Sequence, residues 1–526
     1  MEAWDVVVVG SGPAALRAAI AASEAGVTTT VLCPGGPSSG GTGADAGLAA
    51  SMNEPSSAAH AADTTAAGAG LSEPGIVAMR TGAAVGHLAE LERWGLVLRR
   101  DGNGLPHLGE APGNSVARVA NAGDASGREV LRILEEQCIK RRIFRRFDVE
   151  VLDLVMEGET VRGLVCFDVS TGEVYPVQAK AVILAGEGGE GAWHTTGPGN
   201  GACAAMALRA GVPLADMEFA TQHPLTIADT DLALSMDVLG AGARLLDGSG
   251  AALALDVTPD ALSRSIAEGG ALDATGIDRA VKPWFANMSE ALLMRAGLDL
   301  AADGVPLAPR THFTVGGLMT DEDGNVVGAD WSAYTGLFAA GDAACSGLHG
   351  ASMSAGNRLL DEIDGGARAG GAAALFAGGV GFSGSMYVNA AAVAADEHID
   401  EMLASAGSGE GMGAGALRAG LAGAMSKFMG ASRDAAGLAT AEATIAELRQ
   451  AEASLADGSP VMNTELIAMR HAQGLLAVAS AAIKSATART ESRGAHQRAD
   501  HAETDEGQAH HNLVYADGTV TALPLQ

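Results

Sequence analysis

Lysine is nearly missing from this 526-residue chain: Lys140, Lys180, Lys282, Lys427 and Lys484 are the five among 33 basic residues. Against these stand 63 acidic residues, a net charge of −30. That balance argues against a nucleic-acid partner, because phosphate binding needs clustered Lys and Arg. The acidic excess is first a solubility feature, of the kind a saline cytoplasm or a GC-rich genome produces. Cysteine is scarce and scattered: Cys33, Cys138, Cys166, Cys203 and Cys345 form no CxxC pair. A disulfide framework, a zinc site and an iron–sulfur cluster are therefore not expected, and no metal site is assigned. No basic n-region precedes the first expected strand at Asp5, so no secretory leader is expected. The stretch from Ala369 to Ala395 has no charge and is long enough to span a bilayer, but six Gly, two Ser and an Asn lower its hydrophobicity. It reads as a helix end followed by a flexible linker. With 48% hydrophobic and 18% charged residues, the chain is neither disordered nor a coiled coil. Its length suits two to four domains.

What is present begins at the N-terminus. Asp5 to Val9 is a buried β run, Gly10-Ser11-Gly12-Pro13-Ala14-Ala15 follows, and a helical stretch reaches Ala25. Gly26 caps it, and Val27 to Cys33 is a second strand. This is GxGxxA, a dinucleotide fingerprint with Ala in the third small position. Gly10 permits the tight turn, Gly12 lets backbone approach a pyrophosphate, and Ala15 lets helix and strand pack closely. The helix N-terminus supplies partial positive charge. The second strand should end in an acid that holds a ribose hydroxyl. Cys33-Pro34 stands there instead, so that contact must come from elsewhere.

The fingerprint is N-terminal and no second GxGxxG follows, which favours FAD over NAD. Ala181-Val182-Ile183-Leu184-Ala185-Gly186 is a strand ending in Gly, similar to the ATGG element of flavoproteins. Gly336-Leu337-Phe338-Ala339-Ala340-Gly341-Asp342 is another, resembling the element that holds the ribityl chain through an acid.

Longer motifs carry a specific resemblance. Asp216-Met217-Glu218-Phe219 leads to Gln222-His223-Pro224, like DME…QFHPT, and Asp260-Ala261-Leu262-Ser263-Arg264-Ser265 is like RDVVARS. Thr311-His312-Phe313-Thr314-Val315-Gly316-Gly317 is like CHYxMGG. His349-Gly350-Ala351 with Gly356-Asn357-Arg358-Leu359-Leu360 is like HGANRLGGNSLL, and Ser492-Arg493-Gly494-Ala495-His496 is like SRGAHxR. From Val6 to about Asp500 the chain resembles the flavoprotein subunit of succinate dehydrogenase and fumarate reductase, with L-aspartate oxidase a close relative. The resemblance implies a small dicarboxylate against the flavin beneath a capping domain, with hydride passing between a substrate carbon and flavin N5. It implies His223 and His312 as carboxylate ligands and Arg264 as the proton-transfer Arg. The residue types suit these roles, since His donates to carboxylate oxygen and a resupplied Arg can hand a proton to a carbanion. Ser235 and Arg358 join the expected substrate contacts. The expected cofactor contacts are Gly10, Ser11, Gly12, Pro13, Ala14, Ala15, Cys33, Asp45, Gly47, Gly341, Asp342, Arg358 and Leu359.

Three departures bear on activity. Ser39 to Gly47 matches SHTxxAQGG, with Gly40 where the family attaches its flavin to His, so non-covalent FAD is expected. In the family that link is thought to raise the flavin potential, so its loss leans toward fumarate-type reduction or an oxidase. Ser235 and Met236 stand at the family's Thr-Glu pair, and Met cannot relay protons as Glu does. Met353 stands at the Arg of HGANR, a carboxylate clamp whose loss costs roughly 2–5 kcal/mol. Arg358, at the family's Ser, could replace it or face the pyrophosphate.

The expected fold is α/β, an FAD-binding Rossmann-type domain with an inserted capping domain and a C-terminal helical region. The flavin domain covers 1–218 plus 325–372 and the capping domain 219–324. A Gly/Ala-rich linker at 373–415, a helical domain at 416–490 and a tail at 491–526 follow. Asp517-Gly518 marks a hairpin turn within that tail. The resemblance implies a succinate dehydrogenase or fumarate reductase activity in electron transport and the tricarboxylic acid cycle. Electrons would pass to an iron–sulfur subunit held with membrane anchor subunits, and the chain would be cytoplasmic or peripheral on the cytoplasmic face of the membrane. Two alternatives stay open: a stand-alone oxidase like L-aspartate oxidase, and a divergent paralogue with a shifted substrate or little catalysis of its own.

Overall fold

The computed structural model describes residues 2–34, 45–195, 199–302, 304–404, 406–407 and 411–526. Strand β1 (Glu2–Val9), helix α1 (Pro13–Glu24) and strand β2 (Thr29–Cys33) open the chain. Four consecutive valines, Val6 to Val9, suit a strand buried on both faces. Pro13 sits at the first helical turn, where its fixed φ fits and its missing N–H costs nothing. β2 starts two residues later than expected because Asp5 accepts from the Thr28 N–H at 2.8 Å and holds the chain there.

The parallel core of the main sheet runs Phe144–Phe147, β2, β1, Glu173–Leu184, Ala333–Ala339. Val149–Glu157 and Thr160–Asp168 extend it as an antiparallel meander. The helix Asn357–Gly379 lies across α1, and small residues set the spacing: a Cβ on Gly370 would lie 2.2 Å from the Ala18 carbonyl oxygen. This is the doubly wound frame that leaves a ligand crevice at the carboxyl ends of the strands.

Beyond Leu214–Ala215 the chain builds a separate body. Ala220–His223 pairs antiparallel with Arg310–Thr314, and Arg244–Asp247, Gly270–Asp273 and Val305–Leu307 form a small sheet. Its core holds Leu225, Leu234, Met236, Leu262, Leu272 and Phe285. Asn325–Val327 then returns to the main sheet.

The expected linker at 373–415 is mostly helix, which corrects that reading. Asn357–Gly379 continues through its start, and Ser385–Ala404 follows after a short break. Val388, Ala392, Ala395, Ile399 and Met402 recur at helical spacing and pack on Leu152, Val165 and Phe167 of the meander. Abundant Ala keeps helix propensity high despite the glycines at its edges. Helices Ala414–Phe428, Ala435–Gln450 and Thr464–Ala488 complete the helical region. Among the described residues Thr464–Ala488 alone is long and apolar enough to cross a membrane, and most of that window is buried inside the fold. The tail closes as a hairpin, His510–Val514 with Val520–Pro524, and its first strand also pairs with Leu214–Ala215. Within it His511 is buried between Asp216 and Glu73. Burial opposes its charge, but Asp216 and then Glu73 outweigh it and push the imidazole up to about 10.

Candidate active site between the flavin and capping domains

The fingerprint turn opens a cavity of about 390 Å³, within the range of small-molecule and cofactor sites. Gly10, Ser11, Gly12, Pro13, Ala14 and Asp342 line it. Gly10 has φ +140°, and a Cβ there would lie 2.1 Å from the Ala185 carbonyl oxygen, so only glycine fits the turn. A Cβ on Gly12 would meet nothing within 4 Å: this backbone faces open space at the head of α1. That cradle and the helix N-terminus fit a phosphate-bearing cofactor. The other expected cofactor contacts stand behind the wall. Ala15, Cys33 and Leu359 are buried in the core shared by β1 and α1, and burial pushes the Cys33 thiol up to about 12. Gly341 turns against Ala14. The Gly47 N–H donates to Asp237 at 2.9 Å. Gly40 lies outside the described residues.

Glu187, Glu362, Arg418 and His471 also line the cavity and were not foreseen. Glu187 directly follows the Gly186 that ends the third flavin-domain strand, a signal that could have found it. Glu362 lies two residues past the Gly356–Leu360 motif on the same helix as Arg358, whereas Arg418 and His471 arrive on helices distant in sequence, without any motif.

The two expected carboxylate ligands do meet. His223 ends Ala220–His223, His312 sits in Arg310–Thr314, and their rings stand edge to face with centroids 4.8 Å apart. His223 Nδ1 accepts from the Leu225 N–H at 3.1 Å, so in the neutral ring Nε2 carries the hydrogen and donates. His312 Nε2 lies 3.7 Å from Asp45 Oδ1; both atoms are buried and neither has a hydrogen-bond partner among the described residues. Asp45, His223 and His312 are close enough to suggest a metal. A metal-bound imidazole, however, donates through its other nitrogen, and His223 accepts there. The group suits an anion or a polar organic ligand better.

Arg358 joins this group to the cofactor cleft. Its guanidinium pairs with Asp45 through Nη1 and with Asp342 through Nη2, and lies 4.8 Å over the Phe313 ring. Burial opposes ionisation of Asp45, but Arg358 and then His312 outweigh it and hold the carboxyl well below the usual range. Both ends of Arg358 are thus engaged by aspartates. Ser235 Oγ donates to the Asp45 carbonyl oxygen at 3.0 Å and so fixes the loop that carries Asp45.

Arg264 lies on Pro259–Ser265 with a side chain 35% exposed. Its hydrogen bond and ion pair run to the Gly494 carbonyl oxygen (3.4 Å) and Asp260 (3.8 Å) rather than to either imidazole. Burial raises the Asp260 carboxyl against the lowering charge of Arg264. Met236 is buried in the capping core, and Met353 packs with Phe219, Phe313 and Val315.

Comparison with known proteins agrees with this architecture. The family described as FAD binding domain matches residues 5–359, and that described as fumarate reductase flavoprotein C-term matches residues 418–525. The fumarate reductase flavoprotein subunit of Mycobacterium tuberculosis is 30% identical over 98% of this chain and 96% of its own length. An L-aspartate oxidase of Agrobacterium fabrum is 35% identical over 70% of this chain and 72% of its own. The E. coli quinol fumarate reductase structure superposes with a TM-score of 0.92 at 26% identity, covering 100% of this chain and 97% of that one.

Proposed function

Because the chain belongs to the FAD-binding family of fumarate reductase and succinate dehydrogenase flavoprotein subunits, we propose that it oxidises or reduces a small carboxylate between its flavin and capping domains. Gly10 to Ala14 and Asp342 hold FAD, which supplies the two-electron chemistry when bound. Without a side chain at Gly40, the cofactor is non-covalent. The observation that carries the reading is the convergence of His223 and His312, with the His223 tautomer set to donate from Nε2. These imidazoles hold the carboxylate and fix the substrate carbon. Arg264 handles the proton, and Asp260, 3.8 Å away, takes the relay role that Met236 cannot fill. Its likeness to flavoprotein subunits of quinol-linked fumarate reductases supports an electron acceptor in a separate iron–sulfur subunit, with membrane anchors beyond it. The chain then works at the cytoplasmic face of the membrane.

A second reading, a shifted substrate, draws on Asp45. Its carboxylate stands among the two imidazoles, with Oδ1 3.7 Å from His312 Nε2 and without a hydrogen-bond partner among the described residues, while Met353 supplies no cation for a second carboxylate. This arrangement favours a ligand with one carboxylate and a hydrogen-bond donor, such as an amino acid. Titrating the flavin absorbance with the dicarboxylates succinate, fumarate and malonate and with L-alanine, an amino acid with one carboxylate, tests both readings. Binding of any of them should weaken at least about tenfold in His223→Ala and His312→Ala while FAD stays bound. Tight dicarboxylate binding would remove the second reading, and binding unchanged in both variants would remove the first.

A further inference from the structure

The cofactor cleft holds more carboxyl groups than cations to pair them. Asp342, Glu362, Glu187 and Glu150 line it; Glu190 stands behind that lining, packed beside Gly188 and Gly199 and facing the lining residues Asp342 and Glu187. The buried guanidinium of Arg358 is already shared by Asp342 and Asp45. Of the other basic side chains on the cavity wall, His471 pairs with Glu150 and Arg418 donates to the His194 carbonyl oxygen. Glu187 accepts from the Gly199 and Asn200 N–H groups. That leaves Glu362 and Glu190, only 4% and 5% exposed, each with a buried Oε2 that has no hydrogen-bond partner among the described residues. An ionised carboxylate in such a place lacks both water and a counter-charge.

We propose that Glu362 and Glu190 serve the cleft as neutral carboxylic acids, so that the chain holds FAD tightly only while both keep their protons. FAD brings an anionic pyrophosphate, and the head of α1 offsets only part of that charge. Neutral acids add hydrogen-bond donors and no repulsion; ionised ones would add like charge in a poorly solvated wall. The acidic neighbours act in the same sense, and Arg358 acts against them. Glu362 faces Asp342 from the turn after Ala333–Ala339, Arg358 and Asp361 on its own helix, and Asp45 from the opposite loop. Glu190 faces Asp342, Arg358 and Glu187. Burial first and Asp342 second raise both, Glu190 to about 8 and Glu362 well above the carboxylate range, with Arg358 opposing. An acid with a raised pKa is neutral below that value, so FAD affinity is full at neutral pH and falls as pH rises through about 8 and beyond.

The test is the FAD dissociation constant of the full-length chain, read by flavin fluorescence at about pH 7 and about pH 9.5, with melting temperatures confirming the fold at both. The parent should weaken at least about tenfold between the two, and the Glu190→Gln/Glu362→Gln double variant should show a ratio near one. Alkaline ionisation of free flavin affects both proteins alike and cannot mimic the difference. If the double variant does not fold, Glu362→Gln alone must show a smaller ratio than the parent. A flat profile in the parent, or the parent's ratio retained in the variants, overturns the proposal. Turnover is not read, so failure of the carboxylate-oxidoreductase reading leaves this outcome intact.

Discussion

Arg358 concentrates what is unusual about this site. It stands where the family's motif has Ser, and its partner Asp45 stands where SHTxxAQGG has Gln, so both partners of this ion pair depart from the motifs. Removing one partner of a buried pair leaves an uncompensated charge, which costs about 3–5 kcal/mol. Arg358→Ser should therefore lower the stability of the FAD-free chain by about that amount, because Asp45 and Asp342 both lose their cation. Arg358→Ser with Asp45→Gln, which restores the family's residues, should recover about 1–3 kcal/mol of the loss. Urea unfolding of the parent, the single and the double variant measures this, and no recovery in the double variant would mean that the Asp45–Arg358 pair is not what stabilises the loop. His223 and His312 were legible in the sequence because each sits in a motif. The Arg358–Asp45 contact was not, since two ordinary charged residues 313 positions apart carry no local signal.

The β1–α1 turn was the most legible element, because strand, glycine turn and helix follow one another without interruption. Gly10 and Gly12 do different jobs in it, and that difference can be measured. A side chain at Gly10 strikes the Ala185 backbone, whereas one at Gly12 enters open cleft. Gly12→Val should therefore change apo stability by about 1 kcal/mol or less, the cost of a poorer N-cap, yet weaken FAD binding at least about tenfold. Gly10→Val should lower the melting temperature of the apo chain itself, because a left-handed φ and a backbone clash strain the fold. Thermal melting and FAD titration of the two variants separate these effects, and equal melting losses would refute the division. The segment 373–415 was misread for a physical reason. Its glycines suggested a linker, but they fall on either side of Ser385–Ala404, at 378–384 and 407–415, while Val388, Ala392, Ala395, Ile399 and Met402 between them form an apolar helical stripe.

At the scale of the whole molecule, the order of flavin motifs pointed to a discontinuous domain, and the chain does leave the main sheet and return to it at Asn325–Val327. The return of the C-terminal helices was not legible: Arg418 and His471 close the cofactor cavity from the far end of the chain, through tertiary packing that no spacing announces. Charge, by contrast, is read from composition alone. With 33 basic and 63 acidic residues, every cation could be paired and a net of −30 would still repel itself across the surface. Many cations are already spent on exposed pairs such as Arg132 with Glu129 and Glu136, each worth about 1 kcal/mol or less. Salt weakens those pairs and the self-repulsion together, so the sign of its effect depends on which is larger. The unpaired excess decides it: going from about 0.1 M to about 1 M KCl shortens the screening length from about 10 Å to about 3 Å and removes repulsion among acids that have no partner. The melting temperature should therefore rise by several degrees over that range. Potassium sulfate at matched ionic strength separates screening from preferential exclusion, which would add a further rise. A melting temperature that falls or stays level in KCl would show that the exposed ion pairs outweigh the net charge.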